Sequence, residues 1–556
     1  MIRGKRGYVF KQYHANSNMV STPVSKHSQN SAELESLNEN CGIAAVSIKT
    51  QSDKTPTGAA AHYLYKLLLQ QQNRGQLSAG ITTYNPTRKE LLSTFKDLGT
   101  VPTVFRSHHS GKHLSIMQKY AGLSGIGSVR YATCGDNDSS SAMPLERKHG
   151  RKWKWFSFAF NGQIANYAEI KQDLTSQGYH LRHETDTEAM TYHIAKALTG
   201  DTEIPISNVI QDVSQKWDGS YSAAYIDGNG KVALFRDSRG FRPLVYGEKD
   251  GVVYAASETA ALVNLDVDNI QTLEPGHIAT IEQGNIQVER FAPKQEFSHC
   301  MFEWVYFANV VSEFDGSSIY QARYKLGELL AQNEKTKFDS NTIVVPVPDT
   351  AKPAADGYAR EMGLPSMEGL IRNRYVGRTF IEGQKRQERV KDEFTLNKAV
   401  LRGKKVVLIE DSLVRGTTAK TLVRYIKEEG HALEVHMRVV SPPILFPCFY
   451  GIDMSTMREL VANHAMTEAE VREYSGKDLP DHIVQRVRDY IGADSLQYQT
   501  MEHLVKAIGK PKNNLCMGCL TGTYPTQAGN QLVQIAYEER RETMEPKAEA
   551  VKRTYE

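Results

Sequence analysis

Apolar runs and polar breaks divide the chain into short strands and amphipathic helices. Residues 406–409, Val-Val-Leu-Ile, are apolar and rich in β-branching, with charge only at the edges. That pattern suits a strand buried on both faces. Glu410 and Asp411 follow at once, then a small, hydroxylated loop with Ser412, Gly416, Thr417 and Thr418. A helical pattern runs from about 419 to 429 and is expected to stop at Gly430 in the left-handed conformation. Residues 343–347 form a second buried-strand run, leading into Pro348-Asp349-Thr350. Residues 318–330 have helical apolar spacing, with Arg323 and Lys325 near the polar side. In the first half, 43–46, 155–160 and the runs ending at Arg130 and Arg236 read as strands. Residues 64–72 and the stretch after Asp186 read as helices. Asn161-Gly162 is expected in a turn beyond the aromatic strand. A polar stretch at 292–296 reads as a link between two halves, and the charge-dense tail from Tyr537 as a solvated helix or disorder.

The unit at 406–429 is strand, acidic pair, loop, helix, and ligands of open α/β sheets sit at the carboxyl ends of strands. A loop entering a helix offers unpaired N–H groups and the positive end of the dipole to an anion. The acids repel phosphate, so they make sense as acceptors for ribose hydroxyls or as ligands of Mg²⁺ beside a pyrophosphate. Neither G-x-x-x-x-G-K-[ST] nor G-x-G-x-x-G is present here. Spacing alone leaves a buried strand with a polar turn equally open. Residues 406–418 as a whole resemble the phosphoribosyl diphosphate (PRPP) signature of the type I phosphoribosyltransferases, with Glu410 where many members carry a second Asp. The resemblance implies PRPP binding by Asp411, Ser412, Arg415, Gly416, Thr417 and Thr418. It implies Mg²⁺ binding by Thr350, Glu410 and Asp411.

Composition narrows the class. The chain has 556 residues, 40% hydrophobic and 24% charged, with a formal net charge of +3. That is enough for two or more sizeable cores. The charge gives no reason to expect nucleic acid or an anionic membrane as partner, and no apolar run approaches ~18 residues. The six cysteines are sparse for a disulfide scaffold and point to a reducing compartment. Residues 1–31 hold no Asp or Glu and no apolar core of a secretory signal. Residues 1–40 are expected to be a leader that is removed. The location is then cytoplasmic, or an organelle if the leader is a transit peptide.

Cys41 opens an apolar run, and alone it reads as a small buried residue. Its company is the stretch 74–80 starting at Arg74-Gly75-Gln76, Arg130 with 131–133, Asn161-Gly162, Asp186-Thr187-Glu188, Arg236-Asp237, Gly240, Arg242 and Glu274-Pro275-Gly276. Taken singly, Arg130 also reads as a surface ion pair, Asp186 as a helix N-cap and Asn161-Gly162 as a type I′ turn. In this order and spacing the motifs resemble the class II glutamine amidotransferases, which are N-terminal-nucleophile hydrolases. The resemblance implies a Cys41 thiolate nucleophile with its own α-amine as base. It implies an oxyanion hole from the Asn161 side chain and the Gly162 N–H. Arg130 would take the glutamine carboxylate and Asp186 its ammonium. Phe160, Gln163, Ser128 and Asn73 depart from the family's common residues, which bears on glutaminase efficiency.

In the second half, 372–381 carries three arginines around a glycine, followed by Arg386, Arg389 and Lys391. This stretch reads as a lid over pyrophosphate rather than a solvated basic face. Cys300, Cys448 and the pair Cys516 and Cys519 supply four thiols, which spacing leaves open between Zn²⁺ and a 4Fe–4S cluster. Cys134 is left over. From about Glu35 to Thr526 the chain resembles the cluster-bearing branch of the glutamine PRPP amidotransferases, with cysteines in matching contexts at all four positions. That implies a 4Fe–4S cluster on Cys300, Cys448, Cys516 and Cys519. It implies a four-layer αββα N-terminal-nucleophile domain over 41–290, a type I phosphoribosyltransferase α/β domain with a mostly parallel sheet over 291–470, and a C-terminal segment over 471–556 packed on the core. The implied substrates are glutamine and PRPP, the product 5-phosphoribosylamine, with Mg²⁺, purine nucleotide feedback and a homo-oligomer. Two other readings stay open: an ammonia-dependent synthase with an impaired glutaminase, and a PRPP-binding regulator without turnover.

Overall fold

A computed structural model describes residues 41–49, 58–130, 139–373, 386–454 and 456–542. The leader, residues 131–133, Cys134, most of the basic lid and the end of the tail lie outside the described residues, as do the side chains of Arg386 and Arg389.

Residues 41–292 build two antiparallel sheets packed face to face. Strands β1 (Gly42–Ile48), β2 (Ser78–Tyr84), β3 (Leu92–Leu98), β4 (Ser124–Arg130), β5 (Leu145–Arg147), β6 (Phe156–Ile164), β7 (Gly219–Asp227), β8 (Val232–Arg236), β9 (Val245–Lys249), β10 (Val252–Ala256), β11 (Gln271–Thr272), β12 (His277–Glu282) and β13 (Asn285–Arg290) follow in chain order. The first sheet runs β11-β9-β10-β1-β4-β2-β3 and the second β13-β12-β8-β7-β6-β5. Every residue of β1 is buried because both its faces are covered. Ile43 and Ala45 join the core shared with the second sheet. Ala44, Val46 and Ile48 pack on the helix Ala60–Leu69. Helices Tyr167–Ser176, Asp186–Ala197 and Ile206–Val213 cover the far side of the second sheet. The four αββα layers are those the resemblance implied.

The second half carries a parallel sheet of β14 (Thr342–Pro346), β15 (Lys405–Glu410), β16 (Glu434–Val439) and β17 (Ser495–Tyr498), in that spatial order. One apolar core runs from Cys300 to Tyr537, so the C-terminal segment shares it.

Four expectations change. Asn161-Gly162 lies inside β6, paired with Ser222 and Tyr221, not in a turn. The helix Thr417–Glu428 begins earlier than its apolar pattern, and the left-handed residue after it is His431, φ 55°, not Gly430. Gly430 instead makes room, since a Cβ there would lie 2.5 Å from the Ile426 carbonyl oxygen. Arg323 is buried rather than polar-facing, because the carbonyls of Trp304 and Ala308, each 2.8 Å away, satisfy its guanidinium. The tail up to Glu542 is a helix as expected, part of Gln527–Glu542, but it is not wholly solvated: Arg540 is buried against the Asn463 and Met466 carbonyls.

Candidate active sites

Cys41 sits immediately before β1 and is almost fully buried. Gly42 pairs with Val129, so Arg130, one residue beyond, ends β4 at the same sheet end. The thiol belongs to the inter-sheet core with Phe160, Ile164 and Tyr221 of β6 and β7. Asn161, next to Phe160, is fully buried, and neither side-chain atom has a hydrogen-bond partner among the described residues. A buried, unsatisfied amide is costly, and a substrate oxygen would satisfy it. Gly162 has φ 147°, and a Cβ there would stand 1.9 Å from the Ser220 carbonyl oxygen, so only glycine fits.

Asp186 is the first residue of its helix; Thr185 is the N-cap, accepting from the Glu188 N–H. The Asp186 carboxylate accepts from Ile164 N at 3.3 Å, tying it to the end of β6, and from Thr187 N at 2.9 Å. Burial pushes this carboxyl up to about 6, opposed by those two N–H groups and by the Arg130 guanidinium. The structure therefore brings Cys41, Arg130, Asn161, Gly162 and Asp186 to one region of the inter-sheet core.

In the second half, β14 and β15 are parallel neighbours, with Pro346 beside Ile409. Their following loops emerge at one edge, bringing Thr350 to the same edge as Glu410 and Asp411. Ser412 Oγ donates to Asp411 Oδ1 at 2.7 Å. Burial, and each carboxylate's repulsion of the other in the case of Glu410, raises both acids above their ordinary range. Gly416, φ 76°, leads into the helix Thr417–Glu428 and aims its first N–H groups at the loop. A Cβ on Gly416 would lie 2.6 Å from Val461 Cγ2. Arg415 pairs with Glu459 at 3.3 Å.

Cys300 and Cys516 are neighbours in a short parallel ladder. Leu445 N and Phe446 N both donate to the Cys519 carbonyl, which brings the Cys448 loop to the same place. All four thiols are buried, and burial raises each, Cys300 to about 11. Cys519 also feels the charge of the other three. Among the described residues no three His, Cys, Asp or Glu side chains are grouped to hold a metal ion.

The contacts between the halves were only partly legible. Glu303, fully buried, bridges Arg74 Nη2 at 2.6 Å and Arg242 Nη1 at 3.2 Å. Gly451 N donates to Gln163 Oε1 at 3.0 Å, and Ala528 N to Asp218 Oδ2 at 3.0 Å. Glu303 and Asp218 carry no local motif; the signal for Glu303 was an acid standing inside the otherwise apolar and aromatic stretch 301–308, and Asp218 had none.

Residues 130–264 match the glutamine amidotransferase domain family, and residues 316–441 the phosphoribosyl transferase domain family. The chain is similar to the amidophosphoribosyltransferase of Methanothermobacter thermautotrophicus, 36% identical over 495 residues, covering 88% of this chain and 95% of that one. It is 34% identical to that of Bacillus subtilis over 502 residues, covering 89% of this chain and 96% of that one. The chloroplastic amidophosphoribosyltransferase 1 of Arabidopsis thaliana is 33% identical, over 95% of this chain and 85% of that one. Among solved structures, glutamine PRPP amidotransferase from B. subtilis complexed with ADP and GMP superposes with a TM-score of 0.74 at 32% identity, covering 88% of this chain and 98% of that chain.

Proposed function

The chain belongs to the amidophosphoribosyltransferase family, and from that premise we propose how its own residues divide the work. The reaction converts glutamine, PRPP and water to 5-phosphoribosylamine, pyrophosphate and glutamate, the first step of purine synthesis. In our assignment the Cys41 thiolate attacks the glutamine amide carbon. The Asn161 side chain and the Gly162 N–H then receive the oxyanion. Arg130 holds the substrate carboxylate and Asp186 its ammonium. The acyl-enzyme is hydrolysed, and the ammonia passes to the second half, where it forms the bond to the ribose C1 carbon as the bond to pyrophosphate breaks. Free ammonia is mostly ammonium at neutral pH, so a closed transfer keeps it nucleophilic.

The first turn of the helix Thr417–Glu428, with Ser412, Arg415, Gly416, Thr417 and Thr418, takes the 5-phosphate, and Asp411 the ribose hydroxyls. Thr350, Glu410 and Asp411 would hold Mg²⁺, which supplies positive charge beside the departing pyrophosphate when bound. Two adjacent buried carboxylates, Glu410 raised further by the charge of Asp411, fit that need. Cys300, Cys448, Cys516 and Cys519 would hold a 4Fe–4S cluster, which ties the C-terminal segment to the core. Four buried thiols, with Cys519 in electrostatic reach of the other three, are the donor set such a cluster takes. Purine nucleotides are the feedback ligands we favour, as the B. subtilis neighbour was solved with ADP and GMP. We place the enzyme in the cytoplasm, with an organelle as the alternative, and as a homo-oligomer. No helix among the described residues is long and apolar enough to cross a membrane.

The observation that carries the glutaminase assignment is the unsatisfied buried amide of Asn161 in the core that holds Cys41. The test measures phosphoribosylamine formation from glutamine and from ammonium salts. Cys41→Ala should lose only the glutamine reaction, and Asp411→Asn both. Glutamine use surviving in Cys41→Ala would refute the nucleophile.

A further inference from the structure

We propose that Arg242 is a positioning residue coupling the four-thiol site to the glutamine pocket, through Glu303 and Arg74. The inference rests on the cluster and glutaminase assignments above and adds a link between them.

Each step is a direct contact. The Arg242 guanidinium donates to the Tyr450 carbonyl at 2.7 Å. The Tyr450 N–H in turn donates to Cys448 Sγ at 3.4 Å. The Phe241 carbonyl, on the residue before Arg242, accepts from Cys300 N at 3.2 Å. The Phe241 and Tyr450 rings also touch, tilted by 34° with centroids 4.4 Å apart. Arg242 is thus held against the backbone of two of the four cysteine segments, and its charge lies within reach of both the Cys300 and Cys448 thiols.

Its other nitrogen pairs with Glu303, three residues after Cys300, and Glu303 pairs with Arg74. Arg74 also donates to Glu258, and all four side chains are fully buried. Gly75, the next residue, lies so close to β4 that a Cβ would stand 2.7 Å from the Arg130 carbonyl carbon and 2.8 Å from the Arg130 nitrogen. The backbone that presents Arg130 to glutamine is therefore braced by the far end of the same ion network.

A buried network of two guanidiniums and two carboxylates has no solvent to absorb the displacement of one member, so it holds only while its backbone anchors stay put. A cluster on the four cysteines would fix the Cys300 and Cys448 segments whose backbone holds Arg242, and so keep Glu303 shared with Arg74. An empty site removes this hold, and the brace on Arg130 loosens. By linkage, glutamine in its pocket must influence the cluster to the same degree.

The test uses the whole purified enzyme, Arg242→Gln and Arg242→Lys, each anaerobic as isolated and after iron removal by a chelator. Iron and sulfide content, cluster reduction potential, KM for glutamine and the ammonia-dependent rate are measured. Wild type should lose glutamine affinity about tenfold on iron removal, with the ammonia rate within about twofold. Arg242→Gln should start with that lowered affinity, keep its iron, and respond to removal by less than about twofold. Glutamine should shift the reduction potential in wild type and not in Arg242→Gln. Arg242→Lys keeps the charge and should recover part of both effects, and it serves if Arg242→Gln does not fold. Iron-bearing wild type whose glutamine KM ignores iron removal would overturn the coupling. Wild type holding no iron or sulfide would overturn it through the cluster assignment, a result the analysis of metal tells apart.

Discussion

The side-chain oxygen of Gln163 accepts a hydrogen bond from the backbone N–H of Gly451 at 3.0 Å. Gln163 follows Gly162 directly, and Gly451 lies three residues after Cys448. The strand to which we assign the oxyanion donors is thus pinned to the loop of the other half. Gln163→Ala should weaken the glutamine reaction about fivefold, the worth of one neutral hydrogen bond of ~1 kcal/mol, and leave ammonia use intact. Parallel assays with the two nitrogen sources check this; equal loss of both would deny the pin any special role.

Asn161→Ala should lower the glutamine-dependent kcat by about 10²–10³-fold, as expected for one lost oxyanion donor. Gly162→Ala should be worse, because its Cβ would meet the Ser220 carbonyl oxygen and its φ is left-handed. We expect it to cost about 3 kcal/mol of stability as well. Denaturant titration beside the glutamine assay separates the two effects.

If Asp186 takes the glutamine ammonium as we propose, it ties pH to glutamine binding. Its folded value of about 6 lies above its ordinary value of 3.8. The folded state therefore holds the proton more tightly, and this group's contribution to stability falls as pH rises from about 4 to 6. Glutamine's ammonium needs the ionised form, so KM for glutamine should fall as pH rises through about 6. Asp186→Asn should abolish glutamine binding yet be more stable at pH 7, with the advantage gone near pH 4. Melting temperature and KM across that window test both signs; an Asn variant less stable at pH 7 would contradict the burial argument.

Gly416→Ala should raise KM for PRPP in both reactions. The added methyl meets Val461 Cγ2 at 2.6 Å, and φ 76° is strained for alanine by about 1 kcal/mol or more. Unchanged PRPP kinetics would mean the loop does not take the phosphate.

Strands buried on both faces, such as β15, were legible because their apolar runs are short and bounded by charge. The acidic pair fell at the strand end where the sequence placed it, while the helix after it begins at Thr417, ahead of its apolar pattern. Asn161-Gly162 was misplaced in a turn because Asn-Gly is a strong turn signal. Here the positive φ of Gly162 serves a close strand approach rather than a reversal. Helical spacing puts Arg323 on a polar face because it says nothing of carbonyls arriving from another segment. Glu303 and Gly451 were missed as links for the same reason: a contact between halves leaves no period in either one.

The most direct measurement supplies glutamine labelled with ¹⁵N in the amide together with excess unlabelled ammonium, and reads the isotope in 5-phosphoribosylamine. We expect the product to keep most of the amide label in the wild type and none in Cys41→Ala. Label diluted to the composition of the medium would contradict a nitrogen handed from the Cys41 pocket to the PRPP loop.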